Sequence, residues 1–320
     1  MKRIGLVTSG GDAPGMNAAI RAVTRVAVSH DLEVFGFEKG WEGLLTNTLR
    51  QLTRRNVGGI LHVGGTILHT SRSLEFRKRE GIRKAAETLA LNNLDGLVVV
   101  GGNGSMHGAL ELSKETDALI VGVPATIDND VFGTDETIGF DTAVNTAITE
   151  IDKIRDTASS HDRIFIVEVM GRMRGFLALT IGLTVGAEVI LVPEVECSLD
   201  QIIMTLEKNA SKGKKSGIIV AAEGIDGTHK LMRQIEKKAG VEVRLSIVGY
   251  AQRGGNPTAR SRLLANLFGD KAVELLMNKQ GSRMVALQGG KITSIKLEQV
   301  CSNEKPLDLS LMELAKTLAT

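Results

Sequence analysis

Ile4-Gly5-Leu6-Val7-Thr8-Ser9-Gly10-Gly11-Asp12-Ala13-Pro14-Gly15-Met16-Asn17 is the stretch on which the fold turns. Its first four residues lack the two-fold alternation of a half-exposed strand, as a strand buried on both faces requires. Turn formers follow, and a helical pattern then runs over 16–28. Strand, glycine-rich turn and helix in that order read as the opening step of a sheet flanked by helices.

The step recurs. Short apolar runs at 34–37, 97–100, 119–123, 164–169, 189–192, 218–222 and 245–248 have strand length, and helical stretches at 82–92, 142–158 and 201–211 lie among them. Alternation of this kind predicts an α/β chain with parallel sheets, divided near Gly139. Several strands end in glycine, at Gly10-Gly11, Gly101-Gly102, Gly122, Gly171, Gly224 and Gly249. Ligands of open α/β sheets gather at those carboxyl ends.

Composition narrows the function. With 320 residues the chain suits two domains at about 150 residues each. Lys plus Arg number 39 against 37 Asp plus Glu, so the formal charge of +2 gives no cause to expect nucleic acid or an anionic membrane as partner. Aromatics at 3% argue against base-stacking platforms. Cys197 and Cys301 form no C-x-x-C pair, so neither a disulfide framework nor a cysteine zinc site is expected. The N-terminal apolar run is too short for a signal peptide, and no stretch reaches the ~18 apolar residues of a membrane span. A cytoplasmic location is the expectation.

Two loops invite phosphate. The first is 8–17; the second, Gly101-Gly102-Asn103-Gly104-Ser105, follows the run 97–100 and opens another helix. Either alone reads equally well as a tight turn, but together they favour backbone cradles for phosphate at helix N-termini. Neither is a Walker A loop, and the spacing to Gly108 misses the dinucleotide fingerprint. Pro124-Ala125-Thr126-Ile127-Asp128-Asn129-Asp130 supplies carboxylates after a further strand. If extended, it sends Thr126, Asp128 and Asp130 to one face, where one carboxylate can accept a hydroxyl proton and the other support Mg²⁺. Taken alone, Asp-Asn-Asp is also an ordinary turn or helix cap. Phosphoryl transfer needs cations as well, and Arg72, Arg77, Arg163, Arg172, Arg244 and Arg253 are the candidates.

These motifs resemble bacterial-type ATP-dependent 6-phosphofructokinase. The likeness continues through Ile138-Gly139-Phe140-Asp141-Thr142-Ala143, Asp156-Thr157-Ala158-Ser159-Ser160-His161, Val167-Glu168-Val169-Met170-Gly171-Arg172, Pro193-Glu194-Val195 and Gln252-Arg253-Gly254-Gly255, in order along nearly the whole chain. It implies two similar three-layer α/β domains with largely parallel sheets: an ATP-binding domain of 1–139 plus about 252–303, and a sugar-phosphate domain of about 140–251 plus 304–320. The active site would lie between them in a homotetramer. The implied reaction moves the γ-phosphoryl of Mg-ATP to the 1-hydroxyl of fructose 6-phosphate, giving fructose 1,6-bisphosphate in glycolysis.

The resemblance also assigns residues. Asp128 would be the base that removes the sugar hydroxyl proton, Asp130 would support the metal and the nucleophile's surroundings, Thr126 would neighbour the moving phosphoryl group, and Arg72 and Arg172 would stabilise its charge. Gly11, Arg72, Ser73, Arg77, Gly102, Asn103, Gly104 and Ser105 would take ATP, with Asn103 at the metal position. Met170, Gly171, Arg172, Glu223, Tyr250 and Arg253 would hold the sugar phosphate, with Arg163 and Arg244 reaching it from a neighbouring subunit. Arg21, Arg25, Arg54, Arg155, Glu188, Lys212 and Lys214 match positions that bind ADP or phosphoenolpyruvate as effectors. Read by themselves, Arg21 and Arg25 share a helix face that suits an anion or solvent equally.

Some positions depart from the pattern. Asn103 stands in place of an Asp, Tyr250 of a His, Ser73 of an aromatic, Gly59 and Ser261 of Asp. Gly104 and Ala125 are small where pyrophosphate-dependent relatives carry Asp and Lys, which favours ATP, although the Ala125 methyl would crowd the α-phosphate slightly. The alternatives to this reading are a paralogue with another donor or acceptor, such as pyrophosphate or sedoheptulose 7-phosphate, and a weakly active regulatory chain.

Overall fold

A computed structural model describes residues 1–71 and 73–319. In chain order the elements are β1 (Arg3–Ser9), α1 (Met16–Ser29), β2 (Glu33–Phe37), α2 (Trp41–Leu45), β3 (Leu49–Leu52), α3 (Arg79–Leu91), β4 (Gly96–Gly101), α4 (Asn103–Ser113), β5 (Leu119–Thr126), β6 (Ile138–Gly139) and α5 (Phe140–Ser160). There follow β7 (Ile164–Val169), α6 (Phe176–Thr184), β8 (Val189–Leu191), α7 (Leu199–Ser211), β9 (Gly217–Ala222), α8 (Thr228–Ala239), β10 (Val243–Ile247), a 3-10 turn (Gly249–Arg253), α9 (Ala259–Met277), β11 (Arg283–Gln288), β12 (Lys291–Lys296), α10 (Leu297–Cys301) and α11 (Ser310–Leu318). They separate into two compact units, Met1–Thr142 with Arg253–Lys305 and Ala143–Gln252 with Pro306–Thr320.

Unit 1 is built on an eight-stranded sheet of order β12-β11-β5-β4-β1-β2-β3, with β6 paired to β5. Its central strands β1, β4 and β5 run parallel. Every residue of β4 is buried, which is why its sequence shows no alternation. Both edges depart from the parallel expectation: β3 pairs with β2, and β12 with β11, antiparallel. Of the two edge strands β3 is short and β12 is bounded by lysine at both ends, as exposed edges are. The outer hairpin turns on Gly289-Gly290, whose φ of 54° and 78° suit a two-residue primed turn that only glycine and a few polar residues adopt easily. Phe37, Trp41, Leu89, Leu97, Met106 and Leu112 share one buried cluster. Trp41 stacks on Phe76 at 4.1 Å, so the one tryptophan serves the core.

Unit 2 carries an all-parallel four-stranded sheet, β10-β7-β9-β8. Its core includes Ile166, Leu191, Ile202, Ile219, Ile235 and Val243. Helix α7 begins two residues before the predicted start because Ser198 and Gln201 form a capping box: the Gln201 N–H donates to Ser198 Oγ at 3.3 Å and the Ser198 N–H to Gln201 Oε1 at 2.9 Å. Among the described residues no helix is long and apolar enough to cross a membrane.

Candidate active site

Parallel pairing aligns the carboxyl ends of three strands in unit 1. Ser9 of β1 is in register with Gly101 of β4, and Gly101 with Pro124 of β5, so both glycine loops and the carboxylate segment leave the sheet side by side. Glycine is obligatory at 101, where a Cβ would sit 2.3 Å from Ser105 Oγ and 2.4 Å from the Ser9 carbonyl oxygen. The Ser105 hydroxyl donates to that carbonyl at 3.0 Å and is buried, so it ties the two strand ends together. Helices α1 and α4 open at Gly15 and Gly102 with no side-chain cap and no acid in the first turn. Their leading N–H groups therefore suit an anion. A Cβ on Gly104 would meet nothing within 4 Å, which keeps space open at the α4 terminus.

The carboxylate segment is not extended throughout. Strand β5 ends at Thr126, the chain bends at Ile127 and Asp128, and Asn129 takes φ 51°. Strand alternation therefore does not set the aim of Asp128 and Asp130; hydrogen bonds do. Asp128 N–H donates to Thr126 Oγ1 at 3.2 Å, Thr137 Oγ1 donates to the Thr126 carbonyl at 2.7 Å, and Thr137 N–H donates to Asn129 Oδ1 at 3.1 Å. Asp128 is buried, and Asp130 is half-buried. Asn129 was legible only as the middle of a turn, although asparagine is enriched at positive φ. Thr137 carried no sequence signal.

The second glycine loop and the carboxylate loop touch. A Cβ on Gly102 would lie 3.2 Å from Thr126 Cβ, and Asn103 Nδ2 donates to the Asp130 carbonyl at 3.1 Å. Arg253 Nη1 donates to the Asp12 carbonyl at 3.3 Å and would stand 2.3 Å from a Cβ on Gly11. Gly11, Gly102, Asn103, Thr126, Asp128, Asp130 and Arg253 thus assemble within unit 1. Ser73 Oγ accepts the Phe76 N–H at 3.2 Å, and Arg77 is exposed. Arg72 lies outside the described residues.

In unit 2 the loops after β7 and β9 meet. Gly171 has φ 134°, where a side chain would be strained, and Arg172 has φ 53°. Arg172 N–H donates to Glu223 Oε1 at 2.5 Å, and the buried Met170 gives its N–H to Gln252 Oε1 at 2.8 Å. Arg163 and Arg244 converge on Glu242. Arg163 Nε contacts Glu242 Oε2 at 2.6 Å, and Arg244 pairs with the same carboxylate. The Arg163 hydrogen bond holds the Glu242 carboxyl below its ordinary range. Tyr250 is 83% exposed on the 3-10 turn.

The residues matched to an effector site fall in both units. On α1, burial and then the neighbouring Arg25 charge lower the Arg21 pKa, while Arg54 is exposed. In unit 2 Glu188 is buried, accepts the Ile218 N–H at 2.5 Å and pairs with Lys214; Arg155 Nη2 donates to the Val185 carbonyl at 2.5 Å, and Lys212 is the C-cap of α7.

Among the described residues no group of three or more His, Cys, Asp and Glu could hold a metal ion. Oxygen donors in or beside the glycine loops include the Asp12, Asp128 and Asp130 carboxylates and the Asn103 amide oxygen. Such a set fits a Mg²⁺ that arrives on nucleotide phosphates with most of its water, not a protein cage.

Comparison with known proteins bears on which anion these loops serve. The phosphofructokinase family model matches residues 3–276. ATP-dependent 6-phosphofructokinase of Oceanobacillus iheyensis is 49% identical over 319 residues, spanning 100% of both chains. The chain belongs to the phosphofructokinase family. The enzyme of the same description from Clostridioides difficile is 47% identical, again over 100% of both chains. Among solved structures, phosphofructokinase from Saccharomyces cerevisiae superposes with a TM-score of 0.89 at 34% identity over 100% of this chain, which spans 48% of that longer one. Pyrophosphate-dependent phosphofructokinase from Marinobacter aquaeolei has a TM-score of 0.86 at 22% identity, covering 97% of this chain and 86% of its own, a likeness of fold.

Against the phosphofructokinase pattern several departures acquire a physical meaning. The Asn103 amide makes a bond to the Asp130 carbonyl that a carboxylate could not donate. Ser261, at 1% exposure, accepts the Thr142 hydroxyl at 2.8 Å, a buried place where an Asp would need further partners. Ala125 is wholly buried, so its methyl has no open surface from which to crowd a phosphate. Nothing in the structure explains Tyr250 or Gly59.

Proposed function

We propose that this phosphofructokinase-family chain is an ATP-dependent 6-phosphofructokinase, producing fructose 1,6-bisphosphate and ADP from fructose 6-phosphate and ATP. One observation carries the reading: Asn103, in the second glycine loop, is hydrogen-bonded at 3.1 Å to Asp130 of the carboxylate loop. A phosphate donor held by the second glycine loop is then next to a proton acceptor in the carboxylate loop, which is the proximity that group transfer requires. The full-length likeness to enzymes of that description supports the choice of reaction.

In this reading Asp128 takes the proton of the sugar 1-hydroxyl as its oxygen bonds to the γ-phosphorus and the bond to the ADP oxygen breaks. Thr126 and Asp130 hold the surroundings of that oxygen. The N–H groups at Gly11, Gly102 and Gly104 bind the donor phosphates, joined by Arg77, Ser73, Ser105 and Arg72. Met170, Gly171, Arg172, Glu223, Tyr250 and Arg253 bind the sugar phosphate, and Arg163 and Arg244 serve a neighbouring subunit once released from Glu242. Asn103 and Asp130 would hold a Mg²⁺ brought by ATP, which would supply charge neutralisation for the donor phosphates. Open space at Gly104 supports ATP over pyrophosphate.

The proposal extends to a cytoplasmic homotetramer in which unit 1 binds nucleotide and unit 2 sugar phosphate. Arg21, Arg25, Arg54, Arg155, Glu188, Lys212 and Lys214 would bind ADP or phosphoenolpyruvate as effectors. A coupled assay that offers ATP or pyrophosphate with fructose 6-phosphate or sedoheptulose 7-phosphate tests the chemistry. Turnover with ATP and fructose 6-phosphate well above every other pairing is expected. No turnover at saturating Mg-ATP and fructose 6-phosphate overturns the reading.

A further inference from the structure

The loop 127–137 carries both carboxylates and has no regular element of its own, so its shape depends on bonds made to it from elsewhere. One comes from far along the chain. Lys305 Nζ donates to the Asp135 carbonyl at 2.9 Å. The same oxygen accepts the Asn129 side-chain amide at 3.2 Å, and Asn129 holds the positive φ between Asp128 and Asp130. Lys305 is thus one shared acceptor away from the residue that aims both carboxylates.

Its charge is placed as pointedly as its bond. Lys305 is half-buried, and the negative charges of Asp135, Asp130 and Glu136 act on its ammonium. Glu136 already pairs with Arg260 at 2.7 Å, and the Asp135 carboxylate accepts the Gly289 N–H at 2.7 Å. Asp130 is the member of the three that belongs to the candidate site.

We infer that Lys305 is a positioning residue for the carboxylate loop: its ammonium grips the Asp135 carbonyl and steadies Asn129 and thereby Asp128 and Asp130. The inference rests on the kinase reading for its effect on rate, and on geometry alone for its effect on the loop. Burial lowers the Lys305 pKa to about 8 in spite of the three acidic neighbours, which favour the charged form. The brace is therefore cationic below about pH 8 and loses its charge as pH rises through that value.

Lys305→Met and Lys305→Arg in the full chain test this, with kcat and KM followed across pH and hydrogen exchange of peptides from 127–137 measured without substrates. For K305M, kcat should fall about 10- to 100-fold, as loss of aim predicts, with both KM values within about threefold of wild type. K305R should recover most of the rate and keep it above pH 8, where the wild-type rate declines. Exchange of the loop should quicken in K305M and stay near wild type in K305R. Unchanged loop exchange in K305M, a K305M kcat within about twofold of wild type, or the same alkaline decline in K305R each overturns the inference. If K305M fails to fold, the same kinetics and loop exchange measured on Lys305→Gln decide. A wild-type protein inactive on fructose 6-phosphate would defeat the functional reading, while loop exchange would still decide whether Lys305 braces the loop.

Discussion

Replacing Asn103 with aspartate pits two uses of one position against each other. In the native chain Nδ2 donates to the Asp130 carbonyl at 3.1 Å, and that contact is part-buried. A carboxylate cannot donate, so N103D loses a hydrogen bond of about 1 kcal/mol and leaves an oxygen facing an oxygen, which adds up to about 1 kcal/mol where water can partly relieve it. The metal-free protein should therefore be destabilised by about 1–2 kcal/mol, a drop in Tm of about 2–8 °C for a unit of this size. Asn103→Ala, which removes the donor without adding charge, should lose only the smaller part, about 1 kcal/mol. A carboxylate is also the better ligand for a hard cation, so the Mg²⁺ concentration for half-maximal rate should fall in N103D, and saturating Mg-ATP should recover part of the lost Tm. Thermal unfolding with and without Mg-ATP, beside a kinetic Mg²⁺ titration, reads both effects. A metal-free N103D that melts within about 1 °C of wild type would show that the bond to Asp130 contributes nothing, and the reasoning would fail.

Two further predictions concern neighbouring residues. Asp128→Ser should lower kcat by about 10²–10⁴-fold with little change in KM, as removal of a general base does; steady-state kinetics showing a raised KM with kcat intact would assign Asp128 to binding instead. In Gly11→Ala the new methyl would stand 2.3 Å from Arg253 Nη1, so the guanidinium must swing away from Asp12. Because that end of the side chain is flexible, the fold should survive with a stability change under about 1 kcal/mol, while the KM for fructose 6-phosphate, the substrate proposed for Arg253, should rise several-fold. Equal KM values in the two proteins would remove Arg253 from the site.

Much of the α/β frame could be read locally. Almost purely apolar runs became β1, β4, β5, β7 and β9 because a strand covered on both faces leaves little room for alternation. The antiparallel edges were harder to see: Leu49-Arg50-Gln51-Leu52 and Lys291-Ile292-Thr293-Ser294-Ile295-Lys296 are polar enough to pass for loop, since an edge strand is half-solvated. The Gly289-Gly290 turn was the signal available for the outer hairpin.

In the candidate site the same division holds. Residue types at strand ends, glycines for close approach and carboxylates for proton transfer, follow from local chemistry and were set by the sequence by itself. Where those carboxylates point was not, because the segment bends at Asp128 and Asn129 instead of continuing as a strand. Their aim rests on partners brought in by packing: Asn103 lies 27 residues from Asp130, Lys305 170 from Asp135, and Arg253 241 from Asp12. A local pattern carries no information about which distant residue arrives opposite it; the register of Ser9, Gly101 and Pro124 in one sheet, and the return of the chain to unit 1 after Gln252, decide that.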